Sequence, residues 1–264
     1  MGKGPLRIAR NGLMLFIIIL LFSLCNLALW AVTRDPVRQR RRIQKSTRFW
    51  IRTTLRSLNI SFAVRGPEHL RPDRNYFIIA NHISYVDVLI LYALRALTGV
   101  TSVEVGGGGL DGFLAKVGGS IFIERRSVKH LRGELAKVTA ILRDRFDVLI
   151  FPEGTTTDGR GPLKPFKTAF FAAAADAEVP ILPIAIRYGT VNGRPAREDD
   201  LLDSVAYYGD ISFMAHAKKF LALKSITATV TILPPVEAVG THRDELGAML
   251  RERIQTARDA HPQS

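Results

Sequence analysis

From Gly12 to Val32 the chain carries no charged residue and is dominated by Leu, Ile and Phe. As a helix this stretch is roughly 32 Å long, enough to cross the hydrocarbon core of a bilayer. A secretory signal has a shorter apolar core, and the one candidate cleavage site, Ala31-Val-Thr33, is a poor match to the small-residue pattern. A helix buried in a soluble core would carry more polar residues. The expectation is a membrane anchor, and length alone leaves open whether it spans or re-enters.

The flanks add an orientation. Lys3, Arg7 and Arg10 precede the apolar run, whereas Arg34, Arg38, Arg40, Arg41, Arg42 and Lys45 follow it. The heavier positive flank stays cytoplasmic, which places the large C-terminal part on that side. The same cluster attracts anionic lipid head groups, each cation contributing on the order of 1 kcal/mol near the surface. Much of the net charge of +13 over 264 residues is therefore explained by the membrane. A nucleic-acid partner is not expected, because no aromatic-interleaved basic face or binding motif accompanies the charge. Phe49, Trp50, Ile51 and Leu55 among Arg48, Arg52 and Arg56 read as an amphipathic helix at the interface. Cys25, the single cysteine, lies inside the apolar run, so neither a disulfide framework nor a cysteine metal site is available.

Beyond the anchor, Tyr76-Phe-Ile-Ile-Ala-Asn-His-Ile-Ser-Tyr-Val-Asp87 joins two kinds of pattern. Tyr76 to Ala80 is an aromatic and β-branched run, a buried strand. Ser84 is a good N-cap, Asp87 follows three residues later, and Val88, Leu89, Ile90, Leu91 and Leu94 supply an apolar helix. His82 thus falls in the turn and Asp87 in the first helical turn. On one continuous helix the two side chains would lie about 140° apart, but the turn lets the carboxylate fold back onto the imidazole. A carboxylate on one ring nitrogen fixes the tautomer and leaves the other free to take a proton from a hydroxyl. The blander alternative is that Asp87 only caps its helix and His82 only fills a turn.

Leu58 to Val64 alternates as a strand ended by Arg65-Gly-Pro67, and Thr101 to Val105 reads as another strand. Gly107, Gly109 and Gly112 match G-x-G-x-x-G, yet the helix that follows, Leu110 to Val117, is short and runs into Gly118-Gly119. A dinucleotide fingerprint needs a longer helix, so a glycine turn is the reading. Gly119 to Arg125 is a strand ending in an arginine suited to bidentate phosphate recognition, or simply solvated alongside Arg126 and Lys129. Val128 to Asp144 is an amphipathic helix, and Asp147 to Phe151 a short strand leading into Pro152-Glu-Gly-Thr155. Further along come a helix over Phe166 to Ala177, a strand over Ile181 to Tyr188 and a polar loop over Asn192 to Asp203. A strand over Ser225 to Leu233 and a closing helix over Asp244 to Arg258 complete the pattern. His69, His130, His216, His242 and His261 lack a carboxylate at the His82–Asp87 spacing and read as structural or exposed.

The motifs N-H-x-x-x-x-D (Asn81 to Asp87), G-x-x-F-I-x-R (Gly119 to Arg125), F-P-E-G-T (Phe151 to Thr155) and V-P-I-L-P (Val179 to Pro183) occur in this order. Together they resemble the glycerolipid acyltransferase family that includes 1-acylglycerol-3-phosphate acyltransferases, over roughly Leu58 to Val236. The resemblance implies an α/β domain with a mixed, mostly parallel sheet flanked by helices, here carrying an N-terminal membrane-anchoring helix. The corresponding organisation is an anchor with its basic juxtamembrane segment over 1–56, an acyltransferase domain over 57–258 and a tail over 259–264. It also implies that His82 is the general base, oriented by Asp87. Asn81 belongs to the same motif, Arg125 would meet the acceptor's phosphate or head group, and Glu153 and Gly154 would shape the acceptor pocket. Pro183 and its neighbours would support the acyl-donor side. Acyl transfer from a thioester to a hydroxyl needs a base and oxyanion donors, with no metal and no cofactor beyond acyl-CoA or acyl carrier protein as co-substrate. No G-x-S-x-G elbow supplies a serine nucleophile, which favours direct attack by the acceptor.

Two departures bear on the acceptor. Phosphatidate-forming members usually carry Arg after F-P-E-G-T, where this chain has Thr156, and a Lys-x-Glu-Leu segment where it has Val103-Glu-Val-Gly106. A phosphomonoester would favour those missing cations. Thr155 to Gly159, Pro165-Phe-Lys167 and Tyr207 to Asp210 are more similar to bacterial acyltransferases that finish lysophospholipids or lyso-ornithine lipids. Thr155 and Thr156 hydroxyls with Arg125 would suit a less charged head group, while Lys164 or Lys167 are the alternative phosphate ligands. A non-catalytic, membrane-anchored lipid-binding protein remains the rival class, although binding alone needs no general base. Oligomeric state is not readable.

Overall fold

The computed structural model describes residues 3–103, 109–124, 128–196 and 201–260. The strand expected from Tyr76 to Ala80 is β2 (Phe77–Ala80), and all four of its residues are buried. Ile78 and Ala80 face one apolar cluster and Phe77 and Ile79 the opposite one, so the run is apolar throughout because helices cover both faces. Around it are β1 (Ile60–Arg65), β3 (Thr98–Ser102), β4 (Ile121–Ile123), β5 (Val148–Ile150), β6 (Ile181–Val191), β7 (Arg194–Pro195) and β8 (Ile226–Ile232). The order is β1-β8-β6-β2-β5-β3-β4, with β7 paired to β6. β2 is parallel to both β5 and β6, whereas β8 and β7 run antiparallel to β6. The sheet is mixed and mostly parallel, as expected.

One face is covered by α2 (Pro36–Ser57), α3 (Tyr85–Leu94) and α7 (Phe213–Leu221), which contribute Leu55, Ile90 and Phe220 to a shared core. The other carries α5 (Val128–Arg143), α6 (Phe171–Ala177) and α8 (Arg243–Asp259), through Val138, Phe171 and Leu250. Two further helices, α1 (Lys3–Val32) and α4 (Leu110–Val117), lie outside these layers.

Several boundaries differ from the sequence reading. The amphipathic helix expected around Phe49 to Arg56 is the end of a 22-residue helix that starts at Pro36. Asp35 caps it by accepting from Arg38 N at 2.7 Å, and Pro36 supplies a pre-set φ at the first helical position. β3 begins at Thr98 rather than Thr101, because Thr98 N donates to Asp147 O (2.9 Å) and Gly99 N to the Tyr92 hydroxyl (2.8 Å). The helix expected from Phe166 starts at Phe171, after a 3₁₀ turn over Thr168–Phe170. The polar loop after Tyr188 is in part a hairpin: β6 continues to Val191, and Asn192 and Gly193, both with positive φ, turn it into β7. Helix α7 was not expected at all.

Helix α1 is long and apolar enough to cross a membrane. One side leans on the domain through side chains: Asn11 Nδ2 donates to Leu221 O (2.9 Å), and Asn26 Nδ2 to Thr47 Oγ1 (3.1 Å) and Val117 O (3.2 Å). The other side exposes Leu13, Phe16, Leu20, Leu24 and Leu27, a continuous apolar face with no protein partner among the described residues. Such a face is stable only against another apolar phase.

At the opposite end of the sheet from the His82 turn, Arg95 and Asp147 close the layers. Arg95 Nε meets Asp147 Oδ2 at 2.5 Å, and the rest of the guanidinium donates to Arg71 O (2.7 Å) and Arg74 O (2.5 Å). Asp147 Oδ1 accepts from Tyr76 N at 2.8 Å. Removing one member of a buried pair leaves the other charge uncompensated. Arg95→Ala should therefore lower stability by about 3–5 kcal/mol in thermal or denaturant unfolding of the detergent-solubilised protein. An unchanged melting temperature would show that the pair adds nothing to the native state.

Candidate active site

Two loops leave the C-terminal ends of adjacent parallel strands, β2 and β5, and meet over the sheet. The first carries Asn81, His82, Ile83 and Ser84 into α3. Ser84 caps the helix, its Oγ accepting from Val86 N (3.2 Å), while its own N–H donates to Asp87 Oδ2 (2.8 Å). That is a capping box. The same Asp87 Oδ2 accepts from Ile83 N (2.7 Å) and lies 3.0 Å from His82 Nδ1. The two readings of Asp87, helix cap and imidazole partner, are thus both realised by one oxygen. The other oxygen, Oδ1, accepts from the Tyr188 hydroxyl at 2.6 Å.

His82 is held as a backbone unit as well. Its N–H donates to Glu153 Oε1 (2.8 Å) and its carbonyl accepts from Thr157 N (3.0 Å). Glu153, 3% exposed, also accepts from Lys164 N at 3.0 Å, so its two oxygens tie together three segments of the site. Burial pushes its carboxyl above the usual glutamate range. Phe151 stacks on the imidazole, ring centres 3.8 Å apart and planes at 14°. The His82 side chain keeps 17% of its surface exposed and Asp87 none. With Nδ1 donating to Asp87, Nε2 is the nitrogen left to take a proton.

The remaining residues singled out in the sequence fall as follows. Asn81 is fully buried, its Nδ2 donating to Ile186 O (3.0 Å) and its Oδ1 accepting from Ile186 N (2.8 Å), which prolongs the β2–β6 pairing past Ala80. Gly154 has φ +72, and a Cβ there would come within 2.7 Å of Lys167 Nζ, so glycine both permits the turn and makes room for that ammonium. Thr155 is exposed and Thr156 half-buried on the same loop. Pro183 is buried in β6 opposite Ile79. Arg125 lies outside the described residues, as do Glu104 to Gly106 of the segment compared with Lys-x-Glu-Leu.

The sequence of the acyltransferase family, compared as a profile, matches residues 61–187, which contain both loops. A lyso-ornithine lipid O-acyltransferase of Pseudomonas aeruginosa is 30% identical over 245 residues, covering 88% of this chain and 86% of that protein. The chain belongs to the glycerolipid acyltransferase family. A 1-acyl-sn-glycerol-3-phosphate acyltransferase of Neisseria meningitidis is 28% identical over 188 residues, 71% of this chain and 70% of that one. The crystal structure of the 1-acyl-sn-glycerophosphate acyltransferase from Thermotoga maritima superposes with a TM-score of 0.70 at 17% identity, over 99% of this chain and 98% of that one. That likeness extends the shared fold of the acyltransferases to α1 and α2. The protein is an acyltransferase of the lysophospholipid or lyso-ornithine lipid type.

The sequence reading passed over part of this candidate site. Tyr188 is the clearest case, and its signal was present: Leu182, Ile184, Ile186 and Tyr188 alternate onto the α3 face, and only the last carries a polar tip. His216, read as structural or exposed, is buried, with Nδ1 3.2 Å from the Tyr85 hydroxyl, and burial lowers its pKa.

Proposed function

We propose that this acyltransferase moves a fatty acyl group from acyl-CoA or acyl carrier protein to the free hydroxyl of a lysolipid with a zwitterionic head group, lyso-ornithine lipid foremost. The observation that carries the chemistry is the His82 Nδ1–Asp87 Oδ2 contact of 3.0 Å beneath an accessible imidazole. His82 Nε2 takes the proton of the acceptor hydroxyl as its oxygen bonds to the thioester carbonyl carbon. The tetrahedral intermediate expels the thiolate, the C–S bond breaks, and the imidazolium returns the proton to sulfur. Asp87 remains a carboxylate throughout and stabilises the imidazolium. Ester and free thiol are the products.

The acceptor assignment rests on charge. An ornithine head group carries one carboxylate and one ammonium, whereas a phosphomonoester brings about two negative charges into a partly desolvated pocket. Lys167 over Gly154 and the hydroxyls of Thr155 and Thr156 suit a single carboxylate. The motif gives Arg125 the same head-group role. Glu153 and Gly154 shape the acceptor side and Pro183 supports the donor side, while Asn81 acts from beneath by holding β2 on β6 through the Ile186 backbone. The lyso-ornithine relative also aligns over more of the chain than the lysophosphatidate relative. Membrane lipids, anionic head groups included, surround α1, and the acyltransferase domain lies on the cytoplasmic side.

His82→Ala should cost roughly 10²–10⁴-fold in turnover with fold and membrane association retained, and Asp87→Asn a smaller but still large factor. Near-normal transfer of labelled acyl-CoA by the His82→Ala protein would sink the mechanism.

In an acceptor panel read by mass spectrometry, lyso-ornithine lipid should outcompete lysophosphatidate. Thr156→Arg should move the preference toward lysophosphatidate by roughly 1–3 kcal/mol. A wild type that strongly prefers lysophosphatidate, with no response to Arg at 156, contradicts the acceptor assignment while leaving the chemistry in place.

A reporter fused after Ser264 should be active on the cytoplasmic side. Cleavage of the domain by protease added outside intact cells would reverse the topology.

A further inference from the structure

Tyr188 has two features that packing alone does not require. Its ring is buried on the α3 face of β6, and its hydroxyl donates at 2.6 Å to Asp87 Oδ1, the oxygen that the helix cap and His82 leave unused. The strand is also irregular there. The β6–β8 register shifts between Tyr188 and Thr190, leaving Gly189 as the extra residue, with Thr190 N donating to Thr227 Oγ1 (2.9 Å). Bulges of this kind re-aim side chains and recur beside active sites.

We infer that Tyr188 is a positioning residue that sets the basicity of His82 through Asp87. The inference rests on the reading of His82 as general base. Donation from the phenol draws negative charge toward Oδ1 and away from Oδ2, where the imidazole is bound. Burial and the neighbouring Asp87 charge raise the Tyr188 pKa well above the usual tyrosine value, so the phenol stays protonated across the working range. Without this donor the carboxylate holds more charge against His82, the imidazolium is favoured, and the His82 pKa rises. Less free base is then present at a given pH, and the deficit disappears as the pH is raised. A purely structural tyrosine would lower activity by the same factor at every pH.

The test uses the full chain in detergent micelles, with histidine isotopically labelled and the His82 signal assigned by its loss in His82→Asn. His82 is titrated by NMR and kcat/KM is profiled against pH in wild type, in Tyr188→Phe, and with 3-fluorotyrosine incorporated at 188. Tyr188→Phe should raise the His82 pKa by about 0.5–1 unit and move the acid limb of kcat/KM upward with it. The more acidic fluorophenol donates more strongly and should move both downward. Coincident His82 titrations in all three proteins would overturn the inference. If the titration moves and the rate profile ignores it, the Tyr188–Asp87–His82 coupling stands and the general-base reading falls. If Tyr188→Phe does not fold, the fluorotyrosine protein, which keeps every contact, decides alone.

Discussion

A buried carboxylate is the point on which the local fold and the chemistry both depend. Asp87 has no exposed surface, and a charge in that position costs several kcal/mol unless donors surround it. Three of its donors are built by the fold before any substrate arrives: the N–H groups of Ile83 and Ser84, and the Tyr188 hydroxyl. The N-terminus of α3 adds its own partial positive charge. His82 is the fourth partner and the only one that is also accessible. The orientation of the imidazole is thus a by-product of finishing a helix cap correctly, and it is established without help from ligand.

The sheet topology explains why a second loop is needed. β2 and β5 are parallel neighbours, so their C-terminal connections emerge side by side, the usual place for a site in an open α/β sheet. The loop after β5 brings Glu153 to the backbone of His82 rather than to its ring nitrogens. It fixes the residue that carries the imidazole: Glu153 receives the His82 N–H, Thr157 donates to the His82 carbonyl, and Phe151 lies flat on the ring. Glu153 is drawn into this task at the expense of burial, which its two hydrogen bonds from His82 N and Lys164 N offset. A turn of this tightness needs Gly154, whose left-handed φ also clears the path of Lys167. The FPEGT run is therefore one physical device, a clamp on the His82 backbone.

Much of this was legible in the residues because local signals and tertiary demands coincide there. Ser84 and Asp87 announce the cap, and the apolar run of Tyr76 to Ala80 announces a strand covered on both faces. Legibility failed where a side chain's purpose lies across the sheet. Asn81 looks like a pocket residue in a motif, yet both its polar atoms pair with the Ile186 backbone, a contact 105 residues away that no local pattern encodes. Tyr188 is the converse, a residue that looks like strand filling and reaches Asp87 only because β6 runs on past the end of β2. The early start of α2 was hidden for another reason. Its basic residues read from the sequence as a membrane-facing charge cluster, although Arg40 donates to Thr98 Oγ1 and Arg48 to Ala93 O and Leu94 O, and that reading masked the Asp35-Pro36 start signal.

Helix α1 and the His82 turn are joined through two elements: α2, which meets α1 at Thr47 and α3 at Ala93 and Leu94, and α7. Near its N-terminus α1 reaches the end of α7, Arg7 donating to Ala222 O at 3.1 Å and Asn11 to Leu221 O. From α7, His216 and Phe220 pack on Tyr85, the residue that follows the Ser84 cap, with Tyr207 and Phe213 completing the aromatic cluster. Tyr207 N in turn donates to Ile83 O at 2.8 Å. One short helix therefore has the apolar α1 on one side and the His82 turn on the other. A lysolipid acceptor keeps its chain in the bilayer while its hydroxyl reacts, so an enzyme that acts on it must hold its base at a constant place relative to that phase. A flexible tether to a membrane helix would leave that place undetermined. Side-chain hydrogen bonds to backbone carbonyls at both ends of α1, at Leu221 and Ala222 and again at Val117, determine it.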